Sequence, residues 1–240
     1  VALGAIAQEF LKELGVKVAS HTVMIGGVYS DFCPKTADEL IIADNNPVRC
    51  MDEQQSELMI QKIKEAQDTG DTLGGRVQVI VSGMSFGYGS YTQYDKKLDA
   101  KLASDLASIQ SVKSVSFGLG EKYGEMSGTA AHDPIGYKDS EFFRYSNNSG
   151  GIDGGITTGE NIIINVTVKP IPTTMHGIKT VDMITKTQCI SSKERSDVCA
   201  VPAAGVVCEN VVALTILQTL GGDYMEEVIN RWQKKKEIII

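Results

Sequence analysis

The segment from Val201 to Leu220 is the most apolar of the chain, with Pro202 near its first turn and Gly221-Gly222 just beyond it. Proline is tolerated at a helix start and glycine ends one, so this punctuation predicts one long helix over 201–220. A helix of this kind needs other layers to pack on. The remainder of the chain supplies them. Val16 to Gly26, Arg76 to Val81, Val112 to Phe117 and Ile162 to Val168 read as strands rich in β-branched residues. Residues 2–14, 52–68 and 95–110 carry apolar residues at helical spacing. The predicted core positions are Leu3, Ile6, Ala7, Phe10, Leu11 and Leu14 in the first of these. In the second they are Leu58, Met59, Ile63 and Ala66, and in the third Leu98, Leu102, Leu106 and Ile109.

Residues 28–50 and 118–149 read as long irregular connections. Thr180 to Thr187 is expected to be a further strand, and Asp223 to Lys236 a charged last helix. The alternation of strands and helices predicts a mixed α and β architecture with helices packed on sheets. No linker divides the 240 residues, so residues 1–240 are expected to form a single domain.

Charge and cysteine content narrow the function classes. The formal net charge is -7. A general nucleic-acid or membrane-surface role is disfavoured, because both usually need a basic face. No apolar run is expected to approach the ~20 residues of a membrane span, and no signal peptide is visible. The five cysteines are odd in number and contain no C-x-x-C. Reduced thiols in a cytoplasmic protein are the expectation. His21, His132 and His176 are scattered without metal-ligand spacing, so no metal site is expected. The chain begins with a helix already under way, without an initiator Met or an N-cap residue. A natural N-terminal portion is expected to precede it.

The chemistry concentrates between residues 147 and 199. Gly150, Gly151, Gly154, Gly155 and Gly159 give backbone that a ligand can approach closely, or simply a bend feeding the strand that follows. That strand runs into Lys169-Pro170-Ile171-Pro172-Thr173-Thr174, where two prolines end sheet pairing and stiffen the loop. A lysine fixed beside threonine hydroxyls suits a phosphate; a solvated charge is the plainer reading. Arg195-Ser196-Asp197 precedes the apolar helix. Residues two apart in extended chain point the same way, so Arg195 and Asp197 can serve one site. Helix-start amides would add to anion affinity there. In the plainer reading Ser196 or Asp197 caps the helix. Gly70-Asp71-Thr72 reads as a turn.

Taken together these motifs resemble the chorismate synthase family. Arg195-Ser196-Asp197-Val198-Cys199, then Ala204, Val206, Val207, Glu209 and Asn210, is similar to that family's C-terminal signature. Asn148-x-Gly150-Gly151-Ile152-x-Gly154-Gly155-Ile156-x-x-Gly159 is similar to its glycine segment, and Lys169-Pro170 to its flavin loop. Gly70-Asp71-Thr72-x-Gly74-Gly75 looks like its Gly-Asp-Ser-x-Gly-Gly turn, and Asp95 to Ala100 like the helix start that follows.

The resemblance implies an α+β fold, a β-α-β sandwich with helices packed between mostly antiparallel sheets. It implies reduced FMN as cofactor. The reaction it implies is the anti-1,4-elimination of phosphate from 5-enolpyruvylshikimate 3-phosphate to give chorismate. Flavin contacts would fall on Gln110, Ser111, Gly154, Lys169, Pro170, Ile171, Pro172, Thr173 and Arg195. Asp197 matches the carboxylate that exchanges a proton with flavin N5. A homotetramer in the cytoplasm is implied, and some members carry an NADPH-dependent flavin reductase activity of their own. Members also carry an N-terminal portion with a Ser-His-Gly motif, a second histidine and an Arg-x-Ser flavin contact, none of which is in these 240 residues. Pro172 stands where members usually have Ser. These 240 residues alone are therefore expected to be inactive. The competing expectation is a flavin-binding or oligomerisation module without catalysis.

Overall fold

The computed structural model describes residues 1–221 and Ile229. All but that one position of the expected last helix, 223–236, lies outside the described residues. In chain order the principal elements are α1 (Ala2–Glu13), β1 (Lys17–Ile25), β2 (Val28–Tyr29), a 3₁₀ helix (Ala37–Asn45), α2 (Glu53–Thr69), β3 (Gly75–Ser82), α3 (Leu98–Ala107) and β4 (Val112–Phe117). A second 3₁₀ turn (Gly120–Glu125) and a short α4 (Gly128–Ala131) lead to the hairpin β5 (Ile135–Lys138) and β6 (Glu141–Arg144). The small hairpin β7 (Ile152–Asp153) and β8 (Ile156–Thr157) precedes β9 (Ile162–Val168). After it come the hairpin β10 (Lys179–Val181) and β11 (Gln188–Ile190), then α5 (Val201–Leu220).

Five strands form one antiparallel sheet in the order β2-β1-β3-β9-β4. β3 and β9 pair without interruption from Gly75 opposite Val168 to Val81 opposite Ile162. Period-two alternation therefore puts Val77, Val79 and Val81 on the same face as Ile162, Ile164, Val166 and Val168, all of them buried. α5 lies across this face, flanked by α1 and α3, and contributes Val201, Cys208, Val212, Ala213 and Ile216 to the core. By length and composition α5 could cross a membrane, which corrects the expectation that no segment approaches a span. In this fold it is a core helix on the sheet, with half of its apolar window buried. The opposite face of the sheet is polar over β3, β9 and β4, and carries a small second core of Ala37, Leu40 and Ile80 beneath the first 3₁₀ helix. The expected helix layer and one antiparallel sheet are thus present. The other sheets among the described residues are two-stranded hairpins.

Several expectations need correcting. The buried face of α1 is Gly4, Ala7 and Leu11, while Leu3 and Ile6 are 70% and 57% exposed. The cause is at the crossing with α5: a Cβ on Gly4 would lie 2.4 Å from Asn210 Cβ. The helices approach most closely where only glycine fits, and that turns Leu3 and Ile6 outward. Leu58 is exposed, because the stripe of α2 that packs inward runs through Ser56, Met59, Ile63 and Ala66. The stretch expected as a strand over 180–187 is instead the end of β10, a turn and the approach to β11. α3 is shorter than the 95–110 expected and leaves Gln110 and Ser111 in the turn before β4.

The 146–149 turn is held by one carboxylate. Asp133 accepts hydrogen bonds from Ser146 Oγ at 2.6 Å, Asn148 N at 2.7 Å and Ser149 N at 2.9 Å. Burial alone would push its pKa up. The bonds from Ser146, Ser149 and Asn148 outweigh that and hold the carboxyl below its ordinary value. A depressed carboxyl contributes stability above its unfolded pKa that is lost as pH falls through the folded one. Asp133→Asn is therefore expected to be less stable at neutral pH but to lose less on acidification below about pH 4. Urea unfolding of both chains across that range checks this; parallel acid losses would contradict it.

Candidate functional site

At the end of β9 four separate segments meet. β9 stops at Val168 because Pro170 and Pro172 cannot donate to a neighbouring strand. The Lys169 amide donates to Ser111 O at 2.9 Å, which ties the loop to the turn between α3 and β4. Ser111 itself has a φ of +70°. The turn after α2, Gly70 to Gly75, packs against the same loop. Gly70 ends α2 in the left-handed region at φ +68°, and a Cβ on Gly74 would lie 2.5 Å from Val168 O. Thr72 Oγ1 donates to Ile171 O at 2.6 Å and the Met175 amide to Gly70 O at 2.9 Å. His176 reaches the Thr69 carbonyl. The fourth segment is 195–199. Ser196 Oγ donates to Thr173 O at 2.8 Å, and the Leu73 amide donates to Val198 O at 2.8 Å.

The structure therefore brings together Gln110, Ser111, Lys169 to Thr173, Arg195 and Asp197, which lie up to 87 positions apart in the sequence. Lys169, Arg195, Asp197 and Gln110 are exposed. Among the described residues, no ion pair or hydrogen bond involves the side chains of Lys169, Arg195 or Asp197. Two cations and one carboxylate are thus left uncommitted on a backbone fixed from three sides. Such an arrangement can bind a phosphate through Lys169 and Arg195 and can exchange a proton at Asp197. Grooves of about 480 and 510 Å³ lie elsewhere, between Phe86 and Phe143 and over the polar sheet face around Asn165. Neither is lined by these charges.

Gly154 is not part of this corner. It sits in the two-residue turn of the β7–β8 hairpin, where Gly154 and Gly155 have φ +60° and +93°. Gly155 O accepts the Leu98 amide at 2.9 Å, so the hairpin lies at the start of α3, while Gln110 follows its end. The length of β9, roughly 20 Å, separates it from Lys169. Gly150 and Gly151 fit the plainer reading of the glycine run, since a Cβ on either would lie within 2.2–2.4 Å of other backbone atoms. Gly154 alone among the four has open space around it.

Ser196 does not cap α5, which starts at Val201 with Ala200 at the N-cap and no side-chain cap. Its hydroxyl is spent on Thr173, and Asp197 is left free. Cys199 and Cys208 stand where burial disfavours the thiolate. Burial pushes the Cys199 thiol up, and burial together with Glu209 pushes Cys208 up to about 12. All five cysteines are unpaired. His21 is fully buried, with its imidazole Nε2 on Gln78 Oε1 at 3.2 Å, and burial followed by the Arg49 charge lowers its pKa against the Gln78 bond. Among the described residues no group of three or more His, Cys, Asp or Glu lies together as a metal site would need.

Two features of the corner had no individual signal in the sequence, the Thr72 and Ser196 hydroxyls. Their partners lie 99 and 23 residues away. Only the Gly-Asp-Thr-x-Gly-Gly spacing pointed to that turn at all.

Comparisons with known proteins match nearly the whole chain. The family model described as chorismate synthase matches residues 1–220. The chain is 44% identical over 233 residues to "Chorismate synthase 2" of Bacillus cereus (strain ATCC 10987 / NRS 248), covering 94% of this chain and 60% of that protein. "Chorismate synthase 1" of Bacillus anthracis shows the same identity and coverage. Among solved structures, one titled "Crystal Structure of Chorismate Synthase" superposes with a TM-score of 0.77 at 32% identity, over 98% of this chain and 66% of that one. The chain thus spans about three fifths of the length of these curated relatives.

Proposed function

The chain belongs to the chorismate synthase family, and on that premise we propose that it carries the flavin-phosphate half of a carbon–oxygen lyase site. The reaction is the anti-1,4-elimination of phosphate from 5-enolpyruvylshikimate 3-phosphate to chorismate, within the shikimate route to aromatic amino acids. The observation that carries this is the corner at the end of β9. There Lys169, Arg195 and Asp197, the positions matched by the family's motifs, stand on segments tied to one another, and their side chains have no partners among the described residues.

The residues present suit a flavin mononucleotide. Two free cations can meet a phosphate, and a proline-stiffened loop with its carbonyls already bonded can lie against a flat ring without rearranging. Gln110, Ser111, Lys169 to Thr173 and Arg195 would hold the cofactor. Gly154 would contribute only from the far end of β9. Reduced flavin, when bound, supplies electron density to the ring that is losing phosphate. The chain's own share is charge and proton handling. Lys169 and Arg195 supply fixed positive charge for the cofactor's phosphate. Asp197 takes up and returns a proton at its carboxylate oxygens. We read residues 1–240 as one domain of a cytoplasmic homotetramer.

Phosphate release from the enolpyruvyl substrate, under anaerobic conditions with reduced FMN, tests this reading on the full-length protein. Turnover that requires reduced flavin is the expected result. Flavin binding without phosphate release would leave only the binding-module alternative.

A further inference from the structure

The loop assigned to the cofactor cannot fix its own shape. Beyond Val168 it has left the sheet, and two of its five residues are prolines without an N–H. Its geometry is imposed by other parts of the chain at two carbonyls. Thr72 Oγ1 takes Ile171 O at 2.6 Å, and Ser196 Oγ takes Thr173 O at 2.8 Å. The two hydroxyls sit on segments that are themselves joined, since Leu73 N donates to Val198 O at 2.8 Å and Leu73 and Cys199 form a parallel bridge. The segment bearing Ser196 also bears Arg195 and Asp197. One tied unit therefore grips the loop and presents the cation and the carboxylate.

Thr72 is itself held. It is 8% exposed, and its amide donates to Asp71 Oδ1 at 2.8 Å. Gly74 allows the turn to approach, because a Cβ there would lie 2.8 Å from Pro170 Cδ as well as against Val168 O. The order Gly-Asp-Thr-x-Gly-Gly thus has a physical reading beyond that of a turn. The aspartate orients the threonine, the threonine grips the loop, and the glycine gives it room.

We propose that Thr72 and Ser196 are positioning residues for the flavin loop, setting Lys169 to Thr173 in register with Arg195 and Asp197. This rests on the flavin-binding reading above. The test is FMN affinity, by flavin fluorescence titration of the full-length protein, beside thermal unfolding of the same chains without flavin. Thr72→Val is expected to weaken FMN binding about tenfold, the scale of one lost buried hydroxyl–carbonyl bond. Thr72→Ser keeps the hydroxyl and is expected to restore binding to within about twofold. Thr215→Val is the control. Thr215 Oγ1 donates to Asp105 Oδ2 at 2.6 Å between α5 and α3, away from the corner. It is expected to lower the unfolding temperature and leave FMN affinity unchanged. Parent-like affinity in Thr72→Val, or equal weakening by Thr72→Val and Thr215→Val, would overturn the positioning role. A parent protein that does not bind FMN would instead overturn the flavin reading itself.

Discussion

Replacing Asp197 by Asn is expected to slow phosphate release from 5-enolpyruvylshikimate 3-phosphate about 10²- to 10⁴-fold, the range a positioned acid–base group supplies, while FMN affinity changes little. Asn has the shape of Asp and can still accept a hydrogen bond, but it cannot take up or return a proton. The backbone that carries residue 197 is fixed independently of its side chain. Ser196 is bonded to Thr173 and Val198 to Leu73, so the substitution leaves the loop where it was. Lys169 and Arg195 remain to hold phosphate. A loss confined to turnover therefore marks a role in the chemical step, because an interaction made equally in ground and transition states would appear in binding as well. Anaerobic turnover with saturating reduced FMN, set beside a flavin titration, separates the two. Equal losses in turnover and affinity would remove the proton role and make Asp197 a binding residue.

The division between what could be read from the sequence and what could not follows the range of the interactions. Elements punctuated locally emerge with their expected bounds. α5 runs from Val201 to Leu220, with Pro202 in its first turn and Gly221 at its end, and β9 from Ile162 to Val168 before Pro170. Faces set by a distant partner do not. The inward stripe of α1 is decided by Gly4 against Asn210, more than 200 residues on, and no periodicity in residues 2–14 contains that information. The exposed β10–β11 hairpin has no buried face to impose alternation, so nothing in the sequence pattern marks its turn off from the strands. The segments that meet at the corner stand out in the sequence as short stretches of glycine, proline and charge that resemble family motifs. The hydroxyl bonds from Thr72 and Ser196 do not, since Ser and Thr are common and their partners are backbone carbonyls of any residue. The resemblance implies a flavin contact at Gly154 as well as at Lys169, and a strand's length lies between the two in one chain.

The largest expected effect on stability lies away from the corner, at Arg49. Its guanidinium bonds Glu209 Oε2 at 3.1 Å and Ser20 O at 3.0 Å and also pairs with Asp44. Ser20 Oγ donates to the same Glu209 oxygen at 2.8 Å. The Arg49 and Glu209 side chains are only 12% and 15% exposed. Together they join α5 to β1 and to the loop after the first 3₁₀ helix. Arg49→Met keeps the aliphatic volume and strands a buried carboxylate, which is expected to cost about 3–5 kcal/mol.

The cost should depend on pH. Burial raises the pKa of Glu209 above its ordinary value, against the Ser20 bond and the Arg49 charge. A raised carboxyl contributes stability that is fully present below its unfolded pKa and is lost as pH rises through the folded one. Without Arg49 the folded value rises further, so the penalty is expected to be larger near pH 8 than near pH 5, where the buried acid can go neutral. Adding Glu209→Gln keeps an acceptor for Ser20 and removes the charge. The double variant is therefore expected to recover more than half of the loss at the higher pH. Urea unfolding of the three chains at both pH values measures this. If the double variant is as unstable as Arg49→Met, or the penalty is the same at both pH values, the cost comes from lost packing around residue 49 and not from an unpaired buried charge.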